Sequence, residues 1–261
     1  MSMPFYVAPE QVMKDRADYA RKGIARGRSA AAVLYEDGIL IAAENTSATL
    51  HKVSEIYDRI AFAGVGKYNE FDQLRIAGVR HADLKGYSFS REDVDARSLA
   101  NAYAQMLGHI FTHEMKPMEV EILVAEIGTE RDEDQIFHIL YDGSVVDEDR
   151  FSAIGGDAEA IGDRLEDAFQ PGMDLGTALR VTVAALAGPD RTLAAEDLEV
   201  AVLSRRNGRR AFRRIGTAEV AELLGAVAEP APAEGEGTAE APASDAGDGT
   251  AAAPSGDDPT T

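Results

Sequence analysis

At 261 residues and 45% apolar composition, the chain can bury a large core in one domain or in two small ones. It has no cysteine, which excludes disulfides and thiolate metal sites, and no run of about 18 apolar residues that could cross a bilayer as a helix. Eight of the twenty excess negative charges lie in residues 229–261, and the remaining body of net −12 repels nucleic acid and anionic lipid, so neither is expected as a partner.

Met1-Ser2-Met3-Pro4-Phe5-Tyr6-Val7 lacks the basic start and apolar stretch of a secretory leader, and a soluble protein of the cytoplasm is expected. A helix is predicted from Pro9, with Glu10 favourable to its dipole and with Met13, Ala17, Ala20 and Ile24 along one face. Residues 29–35 and 39–43 read as strands joined at Asp37-Gly38, a strong hairpin signal because such turns need positive φ. Residues 53–56 and 60–65 give two more strands. Helices follow at 68–79 and 98–114, the second with Leu99, Tyr103, Met106 and Ile110 as its buried stripe.

Strands return at 120–127 and 136–141, with an Asp142-Gly143 turn before Val145-Val146. Gly155-Gly156 leads into Asp157 as N-cap of a helix reaching Phe169, and Asp174 opens another with Leu175, Leu179, Val183 and Leu186. Residues 198–203 and 211–215 close the sheets, and 218–227 forms a last helix. From Glu229 onward there is no Leu, Ile, Val or aromatic residue, so residues 229–261 cannot bury enough apolar surface to offset ordering and are expected to be a disordered acidic tail.

Strands in hairpin-linked groups argue against a doubly wound sheet. Two mostly antiparallel sheets and two helix pairs predict an α+β fold, a four-layer α-β-β-α sandwich of the N-terminal nucleophile hydrolase type with an extra N-terminal helix. Within that class the residues resemble proteasome α-type subunits. Arg16-Ala-Asp-Tyr-Ala-Arg-Lys-Gly-Ile-Ala-Arg-Gly-Arg-Ser29 is similar to their run from leading helix into first strand, and Glu36-Asp-Gly-Ile-Leu-Ile-Ala-Ala-Glu44 to their first hairpin. Leu50-His-Lys-Val-Ser-Glu-Ile-Tyr-Asp58, Lys116-Pro-Met-Glu-Val-Glu-Ile-Leu-Val-Ala125 and the turn Ser152-Ala-Ile-Gly-Gly156 follow in one register. Gly66-Lys-Tyr-Asn-Glu-Phe71 resembles the actinobacterial branch. The archaeal and eukaryotic Tyr-Asp-Arg gate element and Pro-Gly turn are absent; Met3-Pro4-Phe5-Tyr6 and Pro9-Glu10 stand there instead.

The resemblance implies residues 1–8 as a flexible gate segment (Met1, Ser2, Met3, Pro4, Phe5, Tyr6 and Val7, with Tyr19 at the family's helix tyrosine) and 9–228 as the α-type domain. It implies a seven-fold ring with neighbouring α subunits, catalytic β subunits beneath it in a threonine-type endopeptidase complex, and a hexameric regulatory ATPase docking by C-terminal tails. Lys52 would pair with a tail carboxylate in a pocket between α subunits, with Gly27 lining it and Lys67 bordering it. In actinobacteria this serves pupylation-dependent catabolism. No cofactor, metal or catalytic residue is expected.

The opposing reading is a self-processing hydrolase using Ser29. Laid on the catalytic pattern through the hairpin, Glu44 takes the acidic position, Lys52 the lysine position and Arg28 the nucleophile position, with Ser29 beside it. An N-terminal nucleophile needs a free α-amine, and the 28 residues before Ser29 read as a functional helix, so Ser29 is expected to be an ordinary strand-start residue. Three further motifs weigh less. Residues 61–68 resemble a phosphate loop but lack its first Gly and its Ser/Thr. His109 and His113 share a helical face without further ligands. Gly155-Gly156 before a helix could hold an anion, and a tight turn explains it equally.

Overall fold

The computed structural model describes residues 8–225; the proposed gate residues 1–7 and the acidic tail lie outside them. The chain opens with helix α1 (Pro9–Ile24) and hairpin β1 (Ala30–Tyr35) and β2 (Gly38–Glu44). A second hairpin follows, β3 (Val53–Tyr57) and β4 (Ile60–Gly66), then helices α2 (Tyr68–Ser88) and α3 (Ala96–His113). Strands β5 (Val120–Glu126), β6 (Gln135–Ile139), β7 (Val145–Glu148) and β8 (Phe151–Ile154) precede α4 (Ala158–Ala168) and α5 (Leu175–Ala187). Strands β9 (Leu198–Ser204) and β10 (Phe212–Ile215) and helix α6 (Thr217–Gly225) complete it.

One sheet runs β10-β9-β2-β1-β8 and the other β3-β4-β5-β6-β7, antiparallel throughout. Period-two alternation decides what fills each layer. Ala30, Ala32, Ile39, Ile41 and Ala43 face the second sheet, where they meet Ala61, Ala63, Leu123 and Ala125. Their alternates Ala31, Val33, Leu40 and Ala42 face α4 and α5 through Ile161, Leu165, Leu179 and Val183. The outer face of the second sheet, with Phe62, Ile122 and Val124, packs against Leu74, Leu99, Tyr103 and Leu107 of α2 and α3. Strands buried on both faces therefore read as unbroken apolar runs. Fully burying an Ile such as Ile39 stabilises by about 1.5–3 kcal/mol. This is the four-layer sandwich expected, with α1 packed by Ala20 and Ile24 against Tyr141.

Several expectations need correction. Helix α2 runs past residue 79 to Ser88, because its glycines are points of close approach rather than stops. A Cβ on Gly78 would stand 1.9 Å from the Tyr103 hydroxyl, and one on Gly86 2.2 Å from that of Tyr57. Helix α3 begins two residues earlier than read, capped by Asp95 accepting from the Ser98 N–H at 2.7 Å. In its stripe Met106 is 39% exposed and Ile110 half-buried, while Ala96, Ala100 and Leu107 take the core. The stretch 152–156, read as a turn, opens with strand β8, which pairs with β1 from Ala30↔Ile154 to Val33↔Phe151. Asp157 holds the N-cap position of α4 but its carboxylate makes no capping hydrogen bond. Asp174 does cap α5, accepting from the Thr177 N–H at 3.1 Å.

Candidate functional site

The C-terminus of α1, the starts of β1, β3 and α2, and the end of β4 meet at one end of the sandwich. Gly27 lies flat on the β4 end, where a Cβ would stand 2.9 Å from the Gly66 nitrogen. Gly66 adopts φ +112°, and a Cβ on it would stand 2.0 Å from the Glu119 carbonyl oxygen, so glycine is required there. Lys67 follows, its N–H donating to that same carbonyl at 2.9 Å and its ammonium 3.7 Å from Glu70. The phosphate-loop resemblance is thus a strand end running into a helix.

Lys52 immediately precedes β3 and is held under tight constraint. The Glu199 carboxylate, buried on β9, accepts from the Lys52 N–H at 2.8 Å, the Val53 N–H at 3.3 Å and Asn45 Nδ2 at 2.8 Å. It also contacts His51 Nδ1 at 3.2 Å and pairs with Arg214. Held there, Lys52 directs its ammonium to the Arg28 carbonyl at 2.6 Å. That neutral oxygen is its partner; among the described residues Lys52 forms no ion pair. Glu44, the carboxylate that acts most strongly on it, is engaged by Arg28 at 3.0 Å and Arg191 at 3.3 Å. Burial lowers the Lys52 pKa to about 8, against the upward pull of Glu44, with Arg28 pushing it further down.

Lys52, Gly27 and Lys67 are therefore brought together, Lys52 through Arg28 and Lys67 through Gly66. Tyr19 is 49% exposed on α1, with the Lys116 ammonium 5.4 Å from its ring centre. Lys116 also pairs with Glu70 and Glu119, each at 2.8 Å. Ser29 is buried against Gly155 and accepts the Glu44 N–H at 3.0 Å on its carbonyl, as a strand-start residue should. The N–H of Gly155 is occupied by Glu121 Oε2 at 3.2 Å, so a side chain of the protein fills the anion position considered there. His109 and His113 stack at 4.5 Å on exposed helix, and among the described residues no cluster of three metal-ligating side chains exists. The sequence reading missed Glu199, although a lone carboxylate in the wholly buried strand Leu-Glu-Val-Ala-Val-Leu-Ser was its signal.

A family model described as "Proteasome subunit" matches residues 24–203. The chain is 63% identical over 225 residues to the "Proteasome subunit alpha" of Acidimicrobium ferrooxidans, covering 86% of this chain and 97% of that protein. It is 57% identical over 245 residues to the same-named protein of Sanguibacter keddieii, covering 89% and 96%. With that of Thermobifida fusca the identity is 58% over 227 residues, covering 86% and 91%.

Proposed function

The chain belongs to the proteasome subunit family, and from that premise we propose that it is the non-catalytic α-type subunit of a proteasome. The observation that carries the non-catalytic part is the backbone at Ser29. Its nitrogen is in peptide linkage with Arg28, whose carbonyl holds Lys52 and whose guanidinium holds Glu44. The helix upstream is packed into the fold at Ala20 and Ile24. Cleavage to free an amine, which an N-terminal nucleophile needs, would sever this packed helix from the strand it leads into.

In this reading seven copies form each outer ring, above inner rings of catalytic β subunits of the threonine type, in the cytoplasm of a bacterium. Residues Met1 to Val7, with Tyr19 at the helix behind them, gate entry. A hexameric ATPase docks its C-terminal tails beside Lys52, Gly27 and Lys67, feeding substrates marked by pupylation. The support for docking at Lys52 is an ammonium hydrogen-bonded to a neutral carbonyl in a body of net −12, which would otherwise repel a carboxylate.

Co-expression with a β-type subunit, followed by sizing, intact mass and a fluorogenic-peptide assay, tests this. A large particle should form with the α chain uncut at Ser29 and with peptidase activity dependent on β. A mature chain starting at Ser29, or β-free turnover lost on Ser29→Ala, would overturn it. Deleting residues 1–7 should speed short-peptide hydrolysis by the particle, and equal rates reject the gate.

A further inference from the structure

Lys52 is held at both of its backbone polar groups. Its carbonyl accepts from the Gly64 N–H of β4 at 3.0 Å, a contact within its own sheet. Its N–H goes elsewhere. The Glu199 carboxylate, buried on β9 of the other sheet, accepts from the consecutive N–H groups of Lys52 and Val53. Because β3 is the edge of its sheet, its strand neighbours pair it on one side alone, and Glu199 adds a fastening from across the sandwich. Arg214 of β10 pairs with that carboxylate and spends a second guanidinium nitrogen on the Val53 carbonyl at 2.7 Å. Asn45 Nδ2 bridges it to the Leu50 carbonyl, with 2.8 Å to each. The approach to β3, from Asn45 to Val53, therefore closes on one side chain 147 residues beyond Lys52.

The lysine side chain thus leaves a backbone held from two sides and ends on the Arg28 carbonyl. A lysine fixed at base and tip has little rotamer freedom left to lose when a ligand carboxylate arrives. We propose that Glu199 is the positioning residue of the Lys52 anchor: by binding two consecutive N–H groups at the entry to β3 it fixes where the ammonium stands, and so sets the affinity of the site for a C-terminal carboxylate. This deepens the docking reading above and rests on it. Glu199 acts through Lys52, not on the ligand.

Charge works in the same direction as geometry. Burial lowers the Lys52 pKa to about 8; Glu44 of β2 and Glu199 of β9 pull it upward, and Arg28 before β1 pushes it down. Behind these stand Arg191 on Glu44, and Arg214 and His51 on Glu199. Without the Glu199 charge, Arg214 acts on Lys52 uncompensated, and the ammonium is lost at lower pH.

The test uses the full chain co-expressed with its β-type subunit. Competitive acetylation by acetic anhydride, followed lysine by lysine through peptide masses, titrates Lys52 with no ligand present. Glu199→Gln keeps the reach of the side chain and drops its charge. It should move the Lys52 midpoint from about 8 downward by about half a unit or more, with the Lys67 curve unchanged. Glu199→Asp keeps the charge but is one methylene too short to hold both N–H groups, and should leave the midpoint near 8. Anisotropy of a fluorescein-labelled tetra-alanine peptide with a free C-terminal carboxylate then reads affinity at neutral pH. Each variant should weaken binding about fivefold or more, but less than about twofold where Lys52→Ala is already present, the non-additivity of residues acting through one contact. An unmoved midpoint in Glu199→Gln, or equal losses with and without Lys52, would overturn the positioning role. If Glu199→Gln yields no particle, the Glu199→Asp cycle decides by the same criterion. A parent particle that binds the peptide no better than its C-terminal amide would count against the docking reading instead, and the acetylation curves would still decide whether Glu199 governs Lys52.

Discussion

The Lys52 ammonium donates to the Arg28 carbonyl across 2.6 Å, tying the start of β3 to the residue that links α1 to β1. A lysine so placed is pre-ordered and has carboxylate-binding capacity to spare. Lys52→Ala should leave assembly and small-peptide cleavage unchanged. It should weaken ATPase-driven degradation of folded substrate by tenfold or more, since each anchor is worth about 1.5–3 kcal/mol and repeated anchors compound. Degradation at the parent rate would reduce Lys52 to a structural lysine.

The same lysine sets a pH dependence. Burial puts its pKa at about 8, so the empty site loses its charge as pH rises through that value. Binding of a peptide ending in a free carboxylate should fall by up to about tenfold per pH unit above 8. The Lys52→Arg particle should show a flat profile, because arginine keeps its proton. The unfolded lysine holds its proton up to its ordinary 10.5. The unfolded chain therefore binds more protons between pH 8 and 10.5, and stability rises across that window. A titration of peptide affinity by fluorescence anisotropy decides it.

Glu199 is expected to be the costliest polar residue to remove. Glu199→Ala leaves Arg214 without its carboxylate and the Lys52 and Val53 N–H groups without acceptors, and takes one of two acceptors from Asn45. Leaving buried donors unsatisfied this way costs about 1–3 kcal/mol, which urea unfolding would read as a lowered midpoint. A loss under 1 kcal/mol would mean that water replaces the carboxylate.

Gly78 and Tyr103 should be coupled. Gly78→Ala forces a methyl against the Tyr103 hydroxyl and should cost about 1–3 kcal/mol. Among the described residues that hydroxyl is buried with no hydrogen-bond partner, so Tyr103→Phe should be neutral or stabilising. In the Tyr103→Phe background Gly78→Ala should cost distinctly less. Additive thermal shifts in the double variant would disprove the coupling.

Acid should loosen the inter-sheet layer at His138. Burial lowers its pKa to about 4, with Nε2 3.9 Å from Glu121. Its contribution is complete above the unfolded value of 6.5 and is lost as pH falls toward 4, by at most about 3 kcal/mol. Glu121, whose carboxyl burial holds above its usual range, opposes part of this loss. His138→Gln should flatten the stability profile between pH 6.5 and 4.

The apolar runs at 30–35, 39–43 and 60–65 determined by themselves that two sheets would be buried on both faces, because only covered strands carry no polar alternate. The Asp37-Gly38 and Asp142-Gly143 pairs announced their hairpins, since few other residues tolerate positive φ. The collinear segments around Arg16–Ser29 and Leu50–Asp58 carried the family resemblance, and the docking role proposed for Lys52, Gly27 and Lys67 rests on it. What sequence could not supply was anything created by residues distant along the chain. Strand β8 has too few apolar positions to declare itself and forms because β1 offers it an edge. Helix α2 continues past Gly78 because a tyrosine on α3 fills the space a side chain would occupy. Glu199 becomes the fastening of β3 only when β9 is laid beneath it, since a carboxylate's worth depends on the donors that folding brings within 3 Å or so.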